Sequence, residues 1–116
     1  YQAKKSKNKG SAFETEVINR LKEIGYTGCV RAAGESKKAD NNKIDIVDTD
    51  RKLPVNIQCK NTQNLPNYFT IRDACSDKSK PFVMAWKKAA EGGSVSPGTV
   101  FIIPDTLFYE LLSKTI

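Results

Sequence analysis

Residues 55–60, VNIQCK, alternate between apolar and polar side chains, and this alternation constrains the fold more than any other feature of the sequence. Side chains of a β-strand point alternately to the two faces of a sheet. The pattern therefore predicts a strand whose Val55, Ile57 and Cys59 side chains enter the core. The three intervening polar side chains are predicted to lie on the other face, which is left for chemistry.

A second predicted strand, KIDIV at residues 43–47, precedes the first and is joined to it by the polar turn DTDRK. Asp45 lies between two isoleucines, so we expect its carboxylate to point away from the apolar face. Hairpin pairing would bring Asp45 beside Gln58 and Lys60. A carboxylate and an amide oxygen suit a divalent cation, and a neighbouring ammonium can act on a charged or protonating oxygen.

The segment from Ser11 to Gly25 has the pattern of an amphipathic helix, with the serine as N-cap and the glycine as its end. Phe13 and Val17 fall on one apolar arc of this helix, and Glu14 falls inside the same arc. Two interpretations of Glu14 remain open. It closes a capping box with Ser11, or its carboxylate reaches a metal site beside the sheet.

The chain is basic, with 19 Lys and Arg residues against 13 Asp and Glu residues, a net charge of +6 and no histidine. Such a balance favours a polyanionic partner such as nucleic acid. Residues 1–10 carry four lysines and no acid, which predicts a flexible basic N-terminal arm ahead of a single domain at residues 11–116. A solvated tail without a partner is the alternative interpretation of the arm.

A polar loop at residues 34–43 leads directly into Asp45, so we expect it to lie over a bound substrate, with Ser36 and the neighbouring cations reaching phosphate oxygens. An ordinary solvated loop is the alternative. Across the whole chain, the cations that we expect to contact DNA phosphates are Lys4, Lys5, Lys7, Lys9, Arg31, Lys37, Lys38, Lys87 and Lys88.

The absence of histidine and the spacing of the cysteines exclude several kinds of site. Without histidine, catalysis must run through carboxylates, lysine or water activated by a metal. Cys29, Cys59 and Cys75 have no CxxC spacing, which argues against zinc and disulfides and predicts three buried thiols. No apolar run approaches about 18 residues, so we expect neither a membrane span nor a signal peptide, and a cytoplasmic protein.

Further strands are predicted at residues 28–33, 81–86 and 99–103, and further helices at residues 70–78 and 105–112. Thr70 is the expected cap of the first of these two helices, and Asp105 or Thr106 is the expected cap of the second. The chain then reads helix, three strands, helix, two strands, helix. This order predicts an α/β fold in which a mixed β-sheet is flanked by helices.

Three segments resemble, in order and spacing, the motifs of PD-(D/E)XK nucleases, and most closely those of archaeal-type Holliday junction resolvases. They are KGSAFETEVINRLKEIGY at residues 9–26, VRAAGESKKADNNKIDIV at residues 30–47 and IQCK at residues 57–60. The resemblance implies a restriction-endonuclease-like fold, a homodimer, and Mg²⁺ as cofactor with Mn²⁺ as a substitute. It also implies paired cuts in four-way DNA junctions, in the host cytoplasm if the protein is viral.

On this resemblance, Glu14, Asp45 and Lys60 match the helix glutamate, the motif aspartate and the motif lysine of the family. Gln58 departs from the pattern, because it stands where the family usually has Glu or Asp. The implied metal ligands are Glu14, Asp45, Gln58 and the backbone carbonyl of Cys59. The implied catalytic residues are Glu14, Asp45, Gln58, Lys60 and Ser36, the last matching a loop serine, with Glu35 as the alternative match.

Two other functions remain open from the sequence. A nuclease of the same fold would cut duplex DNA instead of junctions. A DNA-binding module with weakened catalysis would also fit, because Gln58 removes one negative charge from the implied ligand set.

Overall fold

The computed structural model of the protein is built around a five-stranded sheet. The strands are β1 (Cys29–Arg31), β2 (Ile46–Asp48), β3 (Asn56–Thr62), β4 (Phe82–Lys88) and β5 (Thr99–Ile102), and the helices are α1 (Gln2–Glu23), α2 (Lys37–Asn41), α3 (Tyr68–Ala74) and α4 (Asp105–Ser113). The structure describes the backbone of residues 2–33 and 35–116, and the side chains of residues 10–33, 35–39 and 42–116. The predicted fold class, a mixed sheet flanked by helices, is confirmed.

The strands lie in the order β1-β2-β3-β4-β5, and only β3 and β4 run parallel to each other. A parallel pair needs a crossover connection, which residues 63–81 with α3 provide. The first four residues of both β3 and β4 are buried. The centre of the sheet is therefore covered on both faces, and the polar side chains of β3 are buried along with its apolar ones.

α1 packs its apolar stripe against one face of the sheet. Phe13, Val17 and Ile18 join Ile57 and Cys59 in one apolar cluster, and each of the five is at most 9% exposed. Burial of side chains of this size contributes roughly 1.5–3 kcal/mol each. The predicted helix face and the predicted inward direction of Ile57 and Cys59 are confirmed.

The start of α1 differs from the prediction. The helix begins at Gln2, so the N-cap predicted at Ser11 is wrong. Ser11 lies within the helix, where its carbonyl oxygen accepts a hydrogen bond from the Thr15 hydroxyl at 3.0 Å. Gly10 does not end the helix, because one glycine costs only about 1 kcal/mol relative to alanine. The flexible arm and its phosphate contacts stay predictions, because the described side chains do not include those of Lys4, Lys5, Lys7 and Lys9.

A second apolar cluster covers the opposite face of the sheet and contains Ile44, Tyr68 and Met84. Ile46 belongs instead to the cluster under α1. The prediction that Ile44 and Ile46 share one face is therefore wrong. The two side chains point to different faces because β2 begins only at Ile46 and Lys43 has a positive φ of 63°. Strand alternation therefore does not extend back to Ile44.

Helix starts were the least accurate part of the prediction. The loop predicted at residues 34–43 contains α2. α3 is capped by Asn67, whose Oδ1 accepts the N–H of Thr70 at 3.2 Å, so Thr70 is not the cap. α4 follows Pro104 without a side-chain cap, where Asp105 or Thr106 was expected. Asn is among the strongest N-cap residues, and the sequence offered it three positions before Thr70.

The three cysteines, Cys29, Cys59 and Cys75, are buried and free, as predicted. Within the part of the chain that the structure describes, no helix has both the length and the apolar character that crossing a membrane requires.

Candidate active site

Asp45 is fixed by backbone contacts on both sides. Its N–H donates to the carbonyl of Ile57 at 2.8 Å, and its own carbonyl accepts the N–H of Ala32 at 2.8 Å. Its carboxylate Oδ2 accepts the N–H of Cys59 at 2.7 Å, a charge-assisted hydrogen bond. Asp45 therefore lies beside β3 with its carboxylate held in one orientation, at the place that hairpin pairing predicted.

Glu14 reaches the same region from α1. Its Oε1 accepts a hydrogen bond from Nε of Arg31 at 2.8 Å, with the Glu14 side chain 17% exposed and the Arg31 side chain 39% exposed. The capping-box interpretation of Glu14 is wrong, because Ser11 is not a cap and Glu14 points toward β1.

The pKa of the Cys59 thiol responds to burial and to both carboxylates. Burial raises the pKa of the Cys59 thiol, and the charges of Asp45 and then of Glu14 raise it further. The thiol therefore remains protonated and is a poor metal ligand. The carbonyl of Cys59 is the group that remains available, and it points to the same edge of β3 as the N–H that Asp45 accepts.

Gln58 is 6% exposed, and its Oε1 has no hydrogen-bond partner among the groups that the structure describes. A buried oxygen without a partner costs about 1–3 kcal/mol. The sequence assigned Gln58 to a face left for chemistry, but that face also packs against apolar residues. The result is a buried amide oxygen whose missing partner would be a hydrogen-bond donor or a cation.

Lys60 is two residues beyond Gln58 on the same face of β3, about 7 Å along the strand. It is half-buried and forms no ion pair with any residue whose side chain is described. The Lys60 ammonium therefore has no counter-ion among the described side chains. Such a group is suited to a negatively charged substrate.

The described side chains contain no group of three or more His, Cys, Asp or Glu residues that would hold a metal ion. Gln58 occupies the position where the resemblance implies an acid. The donors that remain are two carboxylates, one amide oxygen and one backbone carbonyl, from Glu14, Asp45, Gln58 and Cys59. An all-oxygen set with one or two carboxylates fits Mg²⁺, which keeps several waters, and the unpaired Oε1 of Gln58 supports that fit.

Ser36 has a local structural contact at the start of α2. Its Oγ accepts the N–H of Ala39 at 3.1 Å, the geometry of an N-cap. Glu35 beside it is exposed. The catalytic role that the resemblance implies for Ser36 stays a prediction.

Three of the predicted DNA-contacting cations are engaged within the chain. Arg31 pairs with Glu14, Nζ of Lys87 lies 2.7 Å from Oε1 of Glu16, and Nζ of Lys88 donates to a backbone carbonyl at 2.8 Å. Lys37 and Lys38 on α2 are exposed. Phosphate contacts of all five cations remain predictions. Lys37 and Lys38 could contact a phosphate without breaking a bond to any described residue, whereas the other three could not.

Asn61 was not identified from the sequence as a residue of the site. It follows Lys60 on β3, and its buried Oδ1 has no hydrogen-bond partner within the described part of the chain. Continuing the alternation of residues 55–60 by one more position would have placed it on the face of Cys59.

A family model described as archaeal Holliday junction resolvase (Hjc) matches residues 5–91 of the chain. No curated protein and no solved structure shows significant similarity to it. The match includes α1 from residue 5 onward, the first four strands and every residue of the candidate active site, and it ends before β5 and α4.

Proposed function

The chain belongs to the archaeal Holliday junction resolvase family, and from this premise we propose that it resolves four-way DNA junctions by paired, Mg²⁺-dependent cuts in the phosphodiester backbone. The family consists of nucleases that act on branched DNA in recombination and repair. The observation that carries the proposal is the Asp45 carboxylate, whose Oδ2 lies 2.7 Å from the backbone nitrogen of Cys59 on β3, the strand that also bears Gln58 and Lys60.

Mg²⁺, or Mn²⁺ in its place, would be held by the donors Asp45, Gln58 Oε1, the Cys59 carbonyl and Glu14. The ion supplies positive charge that acidifies water and stabilises the phosphate in the transition state. Gln58 lacks the charge of an acid, so electrostatic attraction for the cation depends on the two carboxylates.

The protein residues prepare the site in distinct ways. Cys59 N–H fixes the Asp45 carboxylate before substrate arrives, so little orientation has to be gained during the reaction. Lys60 orients the attacking water or neutralises charge that develops on the phosphate. Arg31 positions Glu14 and also competes with a cation for its Oε1, because both are attracted to the same oxygen.

The test compares cleavage of a four-way junction with cleavage of linear duplex of the same sequence, in Mg²⁺. We expect paired cuts in the junction and little cutting of the duplex. Equal rates on both substrates would favour a duplex nuclease of the same fold. Junction binding without any turnover would favour the weakened DNA-binding module.

Asp45→Asn tests the chemistry without removing the structural contact. The amide oxygen can still accept the N–H of Cys59, while the negative charge is lost. We expect junction cleavage to fall by roughly 10²–10³-fold with junction binding retained. The matched control is Asp50→Asn in the exposed turn, which removes the same charge and should leave the rate unchanged. Wild-type cleavage by Asp45→Asn would rule out the proposed site.

We propose further that the protein acts as a homodimer, because paired symmetric cuts need two active sites and each chain provides one. Exposed apolar side chains on α4 support this proposal. We call them the C-terminal apolar surface. Its four residues are 48–64% exposed: Phe108, Tyr109, Leu111 and Leu112.

A further inference from the structure

A second polar site lies beside the β2–β3 hairpin and is lined by Ser36 and by Ile44 and Ile46, the neighbours of Asp45 in the sequence. It is a cleft of about 240 Å³ between α2, the turn at residues 49–55 and the segment at residues 77–80, and we call it the hairpin cleft. Its charged and amide side chains are those of Lys38, Asn42, Asp48, Arg51, Asn56, Asp77 and Lys80.

The two acids of the hairpin cleft are already satisfied by their own turns. Asp48 accepts the N–H groups of Asp50, Lys52 and Leu53 at 2.8–2.9 Å. Asp77 accepts the N–H and the hydroxyl of Ser79 at 3.0 and 2.6 Å. Both carboxylates therefore hold the backbone in place.

The three cations of the hairpin cleft lack such partners. Among the described side chains, Lys38, Arg51 and Lys80 form no ion pair within 4.0 Å. They are nevertheless close to the acids. The Ser79 hydroxyl, with smaller effects from the charges of Lys38 and Lys80, lowers the pKa of Asp77. The three cations of the cleft outnumber its two acids, so the cleft carries a small excess of positive charge.

Asn56 adds an independent observation. It lines the hairpin cleft from the start of β3, is 7% exposed, and its Nδ2 has no hydrogen-bond acceptor among the described groups. A buried donor without an acceptor costs about 1–3 kcal/mol. The missing partner is an acceptor, and the surrounding charge selects a negative one.

We propose that the hairpin cleft binds a phosphate group, with Lys38, Arg51 and Lys80 supplying the charge and Nδ2 of Asn56 donating a hydrogen bond. Phosphate offers several acceptor oxygens, and guanidinium and ammonium groups are its usual partners. The phosphate belongs to a DNA backbone or to a free small molecule, since both present the same oxygens.

The position of Asn56 suits a DNA phosphate. Asn56 and Lys60 lie four residues apart on the same face of β3, about 13 Å along the strand. This separation matches the rise of about four nucleotides of one DNA strand. The DNA form of the proposal rests on the proposed function, whereas the free-phosphate form does not.

The experiment follows the Asn56 side-chain amide by ¹⁵N NMR while the full chain is titrated with inorganic phosphate at constant ionic strength, and separately with a four-way junction in EDTA. EDTA prevents metal-dependent cleavage, so a failed resolvase proposal leaves this measurement intact. A shift with both probes or with the junction alone assigns a DNA phosphate, and a shift with inorganic phosphate alone assigns a small phosphate ligand. No shift with either probe overturns the proposal.

A pair of double variants provides the matched comparison. Arg51→Gln/Lys80→Gln removes two charges from the hairpin cleft, and Arg20→Gln/Lys22→Gln removes two from exposed positions on α1 outside it. We expect the first to abolish the phosphate-induced shift and, for DNA, to weaken junction binding roughly tenfold and flatten the salt slope by about two units. The second should respond to phosphate like the wild type. If both double variants respond alike, the cleft is not the site, and thermal denaturation establishes that both are folded.

Discussion

The amide oxygen of Gln58 is the residue whose placement has the clearest energetic consequence. It is buried without a partner in the described part of the chain, so removing it should relieve a cost. We predict that Gln58→Met, which keeps the length of the side chain, raises the free energy of unfolding in EDTA by about 1 kcal/mol or more and abolishes junction cleavage. Denaturant unfolding and a cleavage assay measure the two effects. An unchanged or lower stability would mean that this oxygen is satisfied in the folded protein.

Gln58→Glu makes the opposite change, restoring the acid that the family resemblance implies. A charged carboxylate at a position 6% exposed should destabilise the protein in EDTA by about 2 kcal/mol or more. Mg²⁺ should restore that stability, because a ligand that binds the folded state alone stabilises it. We expect half-maximal cleavage at roughly tenfold less Mg²⁺ than in the wild type. A melting temperature that does not respond to Mg²⁺ would argue against Gln58 as a ligand.

Individual residues also show where sequence reasoning succeeds. The alternation of residues 55–60 correctly predicted the inward side chains of Ile57 and Cys59, because period two is a property of any strand. It did not predict that Gln58 is buried, since burial of the second face depends on what α3 and β4 bring to it. The ion pair between Glu14 and Arg31 could not be predicted either, because a local sequence pattern does not relate residues on α1 and β1.

At the scale of the element, Ser36 at the start of α2 has two candidate roles, one structural and one catalytic. Ser36 caps this five-residue helix through its Oγ, and a serine that assists cleavage is also what the resemblance implies there. We predict that Ser36→Asn preserves the cap, because Asn is an equivalent N-cap, whereas Ser36→Ala loses about 1 kcal/mol of local stability. Cleavage rates of the two variants tell the roles apart. Activity rescued by Asn assigns a structural role, and equal loss in both variants assigns a chemical role to the hydroxyl.

Elements were predicted best where a periodic pattern was long and apolar. The stretch at residues 81–86 and the helix around Val17 were recognised for this reason. α2 was missed because its five residues include only one apolar side chain, that of Ala39, and so carry no apolar periodicity. The parallel pairing of β3 with β4 was also outside the reach of the pattern, since register across a crossover is set by packing of the whole sheet.

At the scale of the whole molecule, the C-terminal apolar surface is the feature that a single chain does not explain. No residue of α4 is buried, although Phe108, Leu111 and Leu112 make one side of it apolar. Four large side chains that are about half exposed present on the order of 400 Å², about half of the roughly 800 Å² that each partner contributes to a standard interface. The surface also lies beyond residues 5–91, so the family match does not account for it.

Leu111→Glu tests whether the C-terminal apolar surface joins two chains. A carboxylate at the centre of an apolar contact would be desolvated without a partner, so we predict a dimeric wild type and a monomeric variant by light scattering at micromolar concentration. Thr106→Glu is the matched control, because it places the same charge on an exposed polar position of α4 and should remain dimeric. On a supercoiled plasmid with an extruded cruciform, the wild type should make paired cuts that linearise the circle, whereas the monomeric variant should leave nicked circles. Paired cutting requires the two active sites to be held on one junction. A monomeric wild type would contradict the homodimer. A Leu111→Glu variant that stays dimeric would place the interface elsewhere.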